Sequence, residues 1–321
     1  MVIFADKTQA QLIGLDWGST SLRAMLIGAS GAVLETRTSN QGASMLDGST
    51  AAFAAALSAL ADDWHKAMPN LPLLACGMVG SKHGWREVPY LPCPATVIEL
   101  AGAMQTVNWR DTQVRIVPGL QCETPEGVPD VMRGEETQAL GALLANQSLR
   151  ERSCIVMPGT HSKWARVSSG AVDGFATHMT GELFAVLRAH SVLGRLLPSA
   201  MTAAPDAFET GVLAALKNGD AGLSHQIFAV RTLGLTGRLI PAQLPDYLSG
   251  LLIGHELRSG LIWRERAGLA VAPILLIGES VLCQRYLSAL ALFGENAVQV
   301  LPNTAAVGLW RLAQAAQGVL G

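Results

Sequence analysis

A carboxylate and a run of small polar residues stand together near the start of the chain. Asp16 ends an apolar stretch, and Gly18, Ser19, Thr20 and Ser21 come almost directly after it. A glycine lets backbone N–H groups approach an anion closely, and hydroxyl groups add further donors. A carboxylate beside an anion needs a cation between them, and Mg²⁺ prefers such oxygen ligands. The pattern predicts a phosphate-binding turn at which Asp16 holds Mg²⁺; the alternative is an ordinary hairpin with a polar tip.

The same layout returns in the second half of the chain. The tetrapeptide Ser-Gly-Ala-Val follows the first turn at 30–33 and recurs at 169–172. Two matching strand–turn–strand units indicate an internal duplication. Two such turns could clamp a nucleoside triphosphate between two domains. The second phosphate turn consists of Gly159, Thr160, His161, Ser162 and Lys163.

Two adjacent carboxylates, Glu135 and Glu136, lie in sequence between the two predicted turns. Acidic residues suit the first turn of a helix, where they interact with its dipole, so capping alone would explain them. A carboxylate near bound phosphates can also accept the proton of an attacking hydroxyl group. We therefore predict that one of the two is a general base, with Asp130 of the preceding loop as the next candidate.

A segment with little periodicity, 80–95, follows a predicted buried strand and is rich in aromatic, basic and proline residues. A rigid loop of this composition beside a strand end is a candidate ligand wall. A surface excursion is the alternative. The residues predicted to contact a ligand around this segment are Met78, Gly80, Ser81, Lys82, Trp85, Arg86 and Tyr90.

A second candidate for nucleotide contact lies near the carboxyl end of the chain. The apolar stretch 273–277 leads into Gly278 and Glu279, and a helical pattern follows. A strand, a glycine turn and a helix can together seat the flat face of an adenine. Turns with glycine between a strand and a helix are also common without any ligand.

The elements that would position these residues follow from the spacing of apolar side chains. Alternation and turn residues predict a three-stranded meander over 13–39. Phe53, Leu57, Leu60 and Trp64 lie at helical spacing. Further strands are expected at 71–78, 114–117, 154–177 and 273–277, and further helices from Glu135, over 180–190, over 247–261, from Val281 and over 304–314.

Composition limits the classes of function. A chain of 321 residues with 50% apolar and 15% charged residues predicts about two folded domains. The net charge of −2 argues against nucleic-acid binding. No apolar run approaches the roughly 18 residues of a membrane helix. Five cysteines without metal-ligand spacing predict reduced thiols and a cytoplasmic location.

Two levels of resemblance extend these predictions. Duplicated phosphate hairpins with a helix between them resemble the actin/hexokinase/Hsp70 superfamily of ATPases. That resemblance implies an α/β fold of two ribonuclease-H-like (actin-like ATPase) domains with a cleft between them, at 1–145 and 146–321. Seven motifs, spread over nearly the whole chain, together resemble the 2-dehydro-3-deoxygalactonokinase family. They are 16–23 (DWGSTSLR), 77–81 (GMVGS), 84–87 (GWRE), 92–95 (PCPA), 132–138 (MRGEETQ), 158–164 (PGTHSKW) and 179–184 (MTGELF).

The family resemblance implies a reaction and a substrate. Its members use ATP to phosphorylate the terminal (6-) hydroxyl of 2-dehydro-3-deoxy-D-galactonate, and Mg²⁺ is expected with the ATP. The first domain would bind the sugar acid and the second the adenosine. A bidentate arginine suits a planar carboxylate, and the candidates are Arg23 and Arg86, with Lys82 behind them. Trp85 and Tyr90 would cover the apolar C3 face.

The same resemblance assigns two further charged residues. Arg133 would stabilise the transferring phosphoryl group or bind the substrate. Many superfamily relatives carry an aspartate where this chain has Pro158, so Lys163 is expected to supply charge to the phosphates instead. Asp16 is then the main candidate for a metal carboxylate.

Three alternatives remain open from the sequence. The Gly-Glu-Glu block also resembles that of exopolyphosphatases, which hydrolyse phosphate chains, although the chain lacks the basic excess that a long polyanion would favour. A nucleotide-dependent switch without catalysis is a second alternative. A kinase for a related 2-keto-3-deoxy sugar acid is the third, because one hydroxyl contact separates the stereoisomers. The sequence also leaves open whether the chain forms a homodimer.

Overall fold

The fold is α/β and is built on mixed sheets, as the sequence predicts. The computed structural model describes residues 7–124, 126–143, 148–200 and 202–318. In chain order the strands are β1 (Leu12–Trp17), β2 (Leu22–Ile27), β3 (Val33–Ser39), β4 (Leu73–Gly77), β5 (Leu91–Pro92), β6 (Gln105–Trp109), β7 (Thr112–Ile116), β8 (Leu120–Glu123), β9 (Pro129–Met132), β10 (Arg152–Met157), β11 (Ser162–Ser168), β12 (Ala171–His178), β13 (Ile274–Ile277) and β14 (Val298–Leu301).

The α-helices of the described residues lie between and after these strands. In chain order they are α1 (Thr50–Ala67), α2 (Val97–Gly102), α3 (Glu135–Ala142), α4 (Ser148–Glu151), α5 (Thr180–His190), α6 (Pro205–Asn218), α7 (Leu223–Gln226), α8 (Ala229–Leu235), α9 (Leu244–Arg266), α10 (Ser280–Leu292) and α11 (Ala305–Ala316). Within the described ranges, no helix combines the length and the apolar character needed to cross a membrane.

Two compact units divide the chain. Within the described residues, the first unit runs up to Arg152 and also takes Val167–Phe175 and everything from Asn303 on. The second unit is made of Ser153–Arg166 and Ala176–Pro302. The units therefore differ from a division at a single point, because α11 belongs with the first unit although it ends the chain.

The first unit is organised around a six-stranded sheet with the order β3-β2-β1-β4-β7-β6. β1 pairs antiparallel with β2 and parallel with β4, which brings the carboxyl ends of β1 and β4 to one edge. Buried side chains of this sheet pack against the apolar stripe of α1, including Phe53, Leu57 and Trp64. A small three-stranded sheet, β5-β8-β9, accompanies it.

The second unit contains the core of a five-stranded sheet with the order β12-β11-β10-β13-β14. β13 pairs parallel with both β10 and β14. Its apolar side chains pack with residues of α6, α9 and α10, among them Phe208, Ile253 and Tyr286. A separate helical core gathers around Leu248 and Leu251 of α9.

The predicted duplication is visible in strand order and in one turn. The series β3-β2-β1-β4 of the first sheet corresponds to β12-β11-β10-β13 of the second. In both copies the repeated Ser-Gly pair is left-handed, with φ of 58° and 80° at Ser30 and Gly31 and 52° and 78° at Ser169 and Gly170. Two successive positive φ angles make the kind of turn that matches the twist of paired strands.

Candidate functional site

The first predicted phosphate turn is a tight connection between β1 and β2. The Gly18 N–H donates to the Ser21 carbonyl at 2.9 Å and closes the turn. The residues that follow β3 support it, since the Ala43 N–H donates to the Gly18 carbonyl at 2.9 Å. Ser19, Thr20 and Ser21 are exposed. A braced turn with exposed hydroxyl groups can receive an anion without rearranging its own backbone.

Asp16 stands at the end of β1, directly opposite Arg23 in the β1–β2 register. Its carboxylate lies 3.8 Å from Arg23 Nη1, and 24% of its side chain is exposed. Burial raises the pKa of Asp16, and Arg23 partly opposes that rise. A carboxylate that lacks full solvation gains from a nearby cation.

The surroundings of Asp16 fit Mg²⁺ carried by a nucleotide better than a metal held by protein alone. No group of three or more His, Cys, Asp or Glu residues in the described part of the chain could hold a metal ion. Mg²⁺ typically uses one or two carboxylates together with substrate phosphates and water. One accessible carboxylate beside a turn of donors meets that requirement.

Two glycines bring the start of α3 against the ends of β1 and β4. A Cβ at Gly77 would lie 2.6 Å from the Trp17 carbonyl oxygen, and a Cβ at Gly134 would lie 3.3 Å from Gly77 Cα. Both have positive φ, 91° and 107°. Only glycine adopts such angles at little cost. Backbone contact of this kind places the predicted general base one strand away from Asp16.

The two glutamates at the start of α3 have different environments. Glu136 is fully buried, and its carboxylate accepts from the Gly134 N–H at 2.6 Å and from Thr137 Oγ1 at 2.9 Å. Burial, followed by repulsion from Glu135, raises the pKa of Glu136 to about 7. Glu135 is half-buried and accepts from the Arg133 N–H at 3.1 Å. Glu135 is thus the more accessible carboxylate of the pair.

Arg133 carries a buried positive charge next to these glutamates. Arg133 is only 9% exposed. Nη2 donates to the Val88 carbonyl at 2.7 Å, and the guanidinium stacks 4.3 Å from the centre of the Tyr90 ring. Nε and Nη1 are buried and have no hydrogen-bond partner. A Cβ at Gly80 would lie 2.8 Å from Nη1, so the arginine occupies the space that a side chain there would need.

The other residues predicted as a ligand wall separate into two groups. Gly80 and Tyr90 lie against Arg133, and Met78 begins the short turn that ends at Gly80. Ser81 is half-buried and Lys82 is exposed.

Trp85 and Arg86 lie away from this cluster of contacts. Trp85 is 7% exposed and packs in the core against Trp17 and Phe53. Arg86 Nη1 donates to the Thr106 carbonyl of β6 at 2.8 Å. β6 is three strands from β1, a distance of about 14 Å at the usual strand spacing. The sequence predicts that Trp85 covers the substrate and that Arg86 binds its carboxylate. The structure instead places Trp85 in the core and Arg86 at the edge of the sheet.

The second predicted phosphate turn connects β10 and β11. Thr160 and His161 are exposed, and Gly159 is half-buried. His161 Nε2 hydrogen-bonds the carboxylate of Glu182 in the first turn of α5. The Glu182 N–H donates to the Thr160 carbonyl at 3.0 Å. The turn is therefore held by the start of α5.

Ser162 and Lys163 point away from the exposed part of this turn. Ser162 is fully buried and Lys163 is 5% exposed. Ser162 Oγ donates to Glu256 Oε1 at 2.6 Å, and Lys163 Nζ donates to Thr177 Oγ1 at 2.7 Å. Direct contact of these two side chains with phosphate, as expected from the sequence, would require them to exchange these partners.

A pocket of about 300 Å³ adjoins the second turn, entirely within the second unit. Gly159 and the start of α5 form one wall, and α9 and α10 form the others. Its apolar side chains suit a flat ring, and its polar groups are few, as in most nucleotide and small-molecule sites. The lining residues are Gly159, Thr180, Gly181, Phe184, Ser249, Leu252, Ile253, Val281, Leu282, Arg285 and Tyr286.

The predicted adenine turn lies beside this pocket, but its glutamate caps the helix that follows. Glu279 is the N-cap of α10, and its carboxylate accepts from the Val281 and Leu282 N–H groups at 3.0 and 2.9 Å. Gly278 has φ of 159° and adjoins the Pro158 carbonyl. Residues of the first two turns of α10, from Val281 to Tyr286, line the pocket instead.

The chain is similar to proteins of one family over nearly its whole length. A model of the 2-keto-3-deoxy-galactonokinase family matches residues 16–312. The probable 2-dehydro-3-deoxygalactonokinase DgoK1 of Rhizobium meliloti (strain 1021) is 35% identical over 95% of this chain and 99% of its own. The 2-dehydro-3-deoxygalactonokinase of Escherichia coli (strain K12) is 38% identical over 92% of this chain and 94% of its own.

The chain belongs to the 2-keto-3-deoxy-galactonokinase family.

Solved structures agree with the family assignment and with the fold. The crystal structure of a putative 2-dehydro-3-deoxygalactonokinase from Sinorhizobium meliloti is 34% identical, covers 96% of this chain and 99% of its own, and has a TM-score of 0.81. The activator of the 2-hydroxyisocaproyl-CoA dehydratase from Clostridium difficile has a TM-score of 0.50 at 13% identity, covering 97% and 98% of the two chains. The second comparison supports the fold alone.

Several residues of the second-unit pocket were not predicted from the sequence. Phe184 ends the family motif 179–184, for which the sequence predicted no contact, and Arg285 occupies an ordinary position on an amphipathic helix. Glu256 lies in the middle of α9, yet it accepts a hydrogen bond from a residue 94 positions earlier. A buried glutamate in an apolar helix was a weak signal that could have marked it.

Proposed function

We propose that this protein is an ATP-dependent kinase that phosphorylates the terminal (6-) hydroxyl of 2-dehydro-3-deoxy-D-galactonate. The family to which it belongs supports this proposal, and so do the names of relatives that align over nearly their full length. The observation in the structure that carries it is the group at the ends of β1 and β4. A common backbone contact there is adjoined by an accessible turn, by the Asp16 and Glu135 carboxylates and by Arg133, two of whose guanidinium nitrogens have no hydrogen-bond partner.

The nucleotide half of the proposal uses both units. The pocket of the second unit would hold the adenosine, and Gly159, Thr160 and His161 would hold phosphates next to it. The turn from Gly18 to Ser21 would hold the phosphates from the other side, with Mg²⁺ between them and Asp16. We propose that the two compact units, with α11 in the first, act as two actin-like domains with the substrates in a cleft between them.

The sugar-acid half of the proposal rests on Arg133. Buried donors without acceptors are costly, as Nε and Nη1 of Arg133 are, and an arriving carboxylate would supply both acceptors and negative charge. The stack on Tyr90 and the bond to the Val88 carbonyl hold the guanidinium plane, which suits planar recognition of a carboxylate. We therefore assign the substrate carboxylate to Arg133, with Arg23 as the next candidate.

The proposed reaction is a direct phosphoryl transfer. Such transfers depend mainly on positioning and on neutralising charge. The bound cation would neutralise the β- and γ-phosphates. Glu135 would accept the proton of the attacking hydroxyl, because the Arg133 N–H holds its carboxylate at the start of α3 while part of it stays accessible. Glu136 would keep the Gly134 turn in place through its hydrogen bonds.

One assay tests the proposed function. ADP formation is measured with a coupled assay over a panel of 2-keto-3-deoxy sugar acids that includes the galactonate- and gluconate-derived isomers. Acid-dependent ADP formation, fastest with the galactonate-derived acid, is the expected result. Phosphate release without any acid would indicate a hydrolase, and ATP binding without turnover would indicate a switch; either result overturns the proposal.

A further inference from the structure

One carboxylate joins the second phosphate turn to the wall of the adjoining pocket. Glu256, in the middle of α9, is 3% exposed. Its Oε1 accepts from Ser162 Oγ at 2.6 Å and from Trp164 Nε1 at 2.9 Å, and its Oε2 accepts from Tyr286 Oη at 2.6 Å. Ser162 and Trp164 lie on the strand that leaves the turn, and Tyr286 lines the pocket.

The three donors explain how a carboxylate can be buried here. Buried polar groups are stable only when their hydrogen bonds are satisfied. The donors are a serine hydroxyl, an indole N–H and a phenol. Burial first, and the Glu256 carboxylate second, raise the pKa of Tyr286 well above its ordinary value, so the phenol keeps its proton and remains a donor.

The same contacts fix the relative position of two parts of one binding site. The turn from Gly159 to His161 lies on one side of Ser162, and α10 carries Tyr286, Val281 and Leu282 on the other side of the pocket. If Glu256 were absent, the strand and the helix would lose the carboxylate that accepts hydrogen bonds from both, although Tyr286 would keep its side-chain interactions with Ser162 and Thr180. A ligand that spans the turn and the pocket would then have to order them itself, and its affinity would fall.

We propose that Glu256 is a positioning residue for the nucleotide, which holds the second phosphate turn and the α10 wall of the pocket in the geometry that ATP requires. The proposal rests on the proposed function in so far as the nucleotide lies in this pocket. It assigns no contact between Glu256 and the nucleotide, since the Glu256 carboxylate accepts from Ser162, Trp164 and Tyr286.

Glu256→Gln tests the proposal, because the amide keeps the size of the side chain but turns one acceptor into a donor. The Kd of a non-hydrolysable ATP analogue is measured by calorimetry, and the KM values for ATP and for the sugar acid are measured separately. We expect the analogue Kd and the ATP KM to rise roughly ten-fold or more, as for a lost hydrogen bond to a charged group. The sugar-acid KM should stay within two-fold of wild type, on the order of experimental error.

Arg264→Gln on the same helix is the matched control for general loss of stability. Arg264 is 6% exposed and bonds Glu295 and the Ala272 carbonyl, away from the turn and the pocket. It should lower the unfolding temperature and leave the ATP KM unchanged. If both variants raise the ATP KM equally, or if Glu256→Gln leaves it unchanged, the proposal is wrong.

Milder variants keep the test decisive if Glu256→Gln does not fold. Ser162→Ala and Tyr286→Phe each remove one donor to Glu256. Each should raise the ATP KM, and the double variant should raise it by less than the product of the two, because both act through one carboxylate. Independent effects, or none, would overturn the proposal. If the wild type itself shows no acid-dependent ADP formation, the proposed function fails instead, and the analogue Kd values still test the role of Glu256.

Discussion

Asp16 combines partial burial with a position beside a turn of hydrogen-bond donors. Its carboxylate has one cationic neighbour, Arg23 at 3.8 Å, and burial raises its pKa. A carboxylate in that state is well placed to hold a cation that arrives with phosphate groups. The same reasoning gives Arg133, on the other side of the β4 end, the opposite role of receiving an anion.

Asp16→Asn should fold normally and lose most of its turnover. The substitution keeps the shape of the side chain but removes the charge that would hold Mg²⁺. The measurement is kcat over a Mg²⁺ titration, with circular dichroism to check folding. Near-wild-type turnover at saturating Mg²⁺ would reject this role for Asp16.

Arg133→Gln should raise the KM for the sugar acid by roughly ten- to a hundred-fold, the range for losing a hydrogen bond to a charged group. The sharper test compares the acid with its uncharged primary amide. Wild type should strongly prefer the acid, and the variant should lose most of that preference, because only the carboxylate depends on the guanidinium charge. Arg86→Gln, at the edge strand β6, is the matched control and should keep the preference. An equal preference for the acid in wild type and Arg133→Gln would contradict the assignment.

The two glutamates of α3 should respond differently to substitution by glutamine. Glu135→Gln should lower kcat by roughly 10²–10⁴-fold, the usual range for a lost general base, with ATP affinity little changed. Glu136→Gln should lower turnover only slightly, because the two carboxylate oxygens of Glu136 already accept hydrogen bonds from Gly134 and Thr137. If both variants stay within a few-fold of wild type, the base lies elsewhere and Asp130, on β9, is the next residue to replace.

Glu136→Gln should instead change how stability depends on pH. The pKa of Glu136 rises from an ordinary 4.5 to about 7 on folding, so between these values the folded chain binds a proton that the unfolded chain has lost. Stability therefore falls as pH rises through this window, by about 3 kcal/mol in wild type. Urea denaturation at pH 5 and pH 8 should show a smaller decline in the variant, and equal declines would contradict the buried titration.

At the scale of elements, apolar periodicity predicted most of what positions the site. The meander β1-β2-β3, helix α1, strand β4 and the repeated unit β10-β11-β12 occur where the pattern placed them. The strands β5, β6, β8, β9 and β14 were not predicted, because their short segments have mixed exposure, whereas the equally short β13 is buried throughout. Trp85 shows the other limit, since an aromatic residue in a polar loop can face a ligand or complete a core. A glutamate within the apolar α9 is a weak local signal, but nothing near Glu256 in the sequence indicates its partner Ser162, which lies 94 positions away.

The contact between α5 and the second phosphate turn gives a prediction at this scale. A Cβ at Gly181 would lie 2.4 Å from the Gly159 carbonyl oxygen and 2.8 Å from Thr160 Cα. Gly181→Ala must therefore push the turn and the helix apart, at a cost of about 1–3 kcal/mol. The ATP KM should rise by roughly ten-fold while the sugar-acid KM stays constant. Gly102→Ala, whose Cβ would meet nothing within 4 Å, is the control, and equal kinetics for the two variants would contradict the prediction.

At the scale of the whole molecule, the duplication places one phosphate turn in each compact unit. The sequence predicted two halves, but α11 belongs with the first unit although it ends the chain. Helix α11 packs against α3 and α2, so residues far away in the sequence bury its apolar face. A single boundary in the sequence cannot describe this arrangement, because the unit to which the last helix belongs depends on the surface that the helix packs against.

The paired turns lead to a prediction about motion. If one ATP molecule is bound by both turns, its phosphates favour states in which the two units approach, as in other enzymes that close over a substrate. Small-angle X-ray scattering should therefore show a smaller radius of gyration with an ATP analogue and the sugar acid together than without ligands. Adenosine is the matched control, because under the proposal it would bind in the pocket of the second unit but has no phosphates to reach Gly18–Ser21. Scattering curves that coincide with and without the analogue and the acid would show that the turns do not act as a clamp, and the phosphates would then be bound from one unit alone.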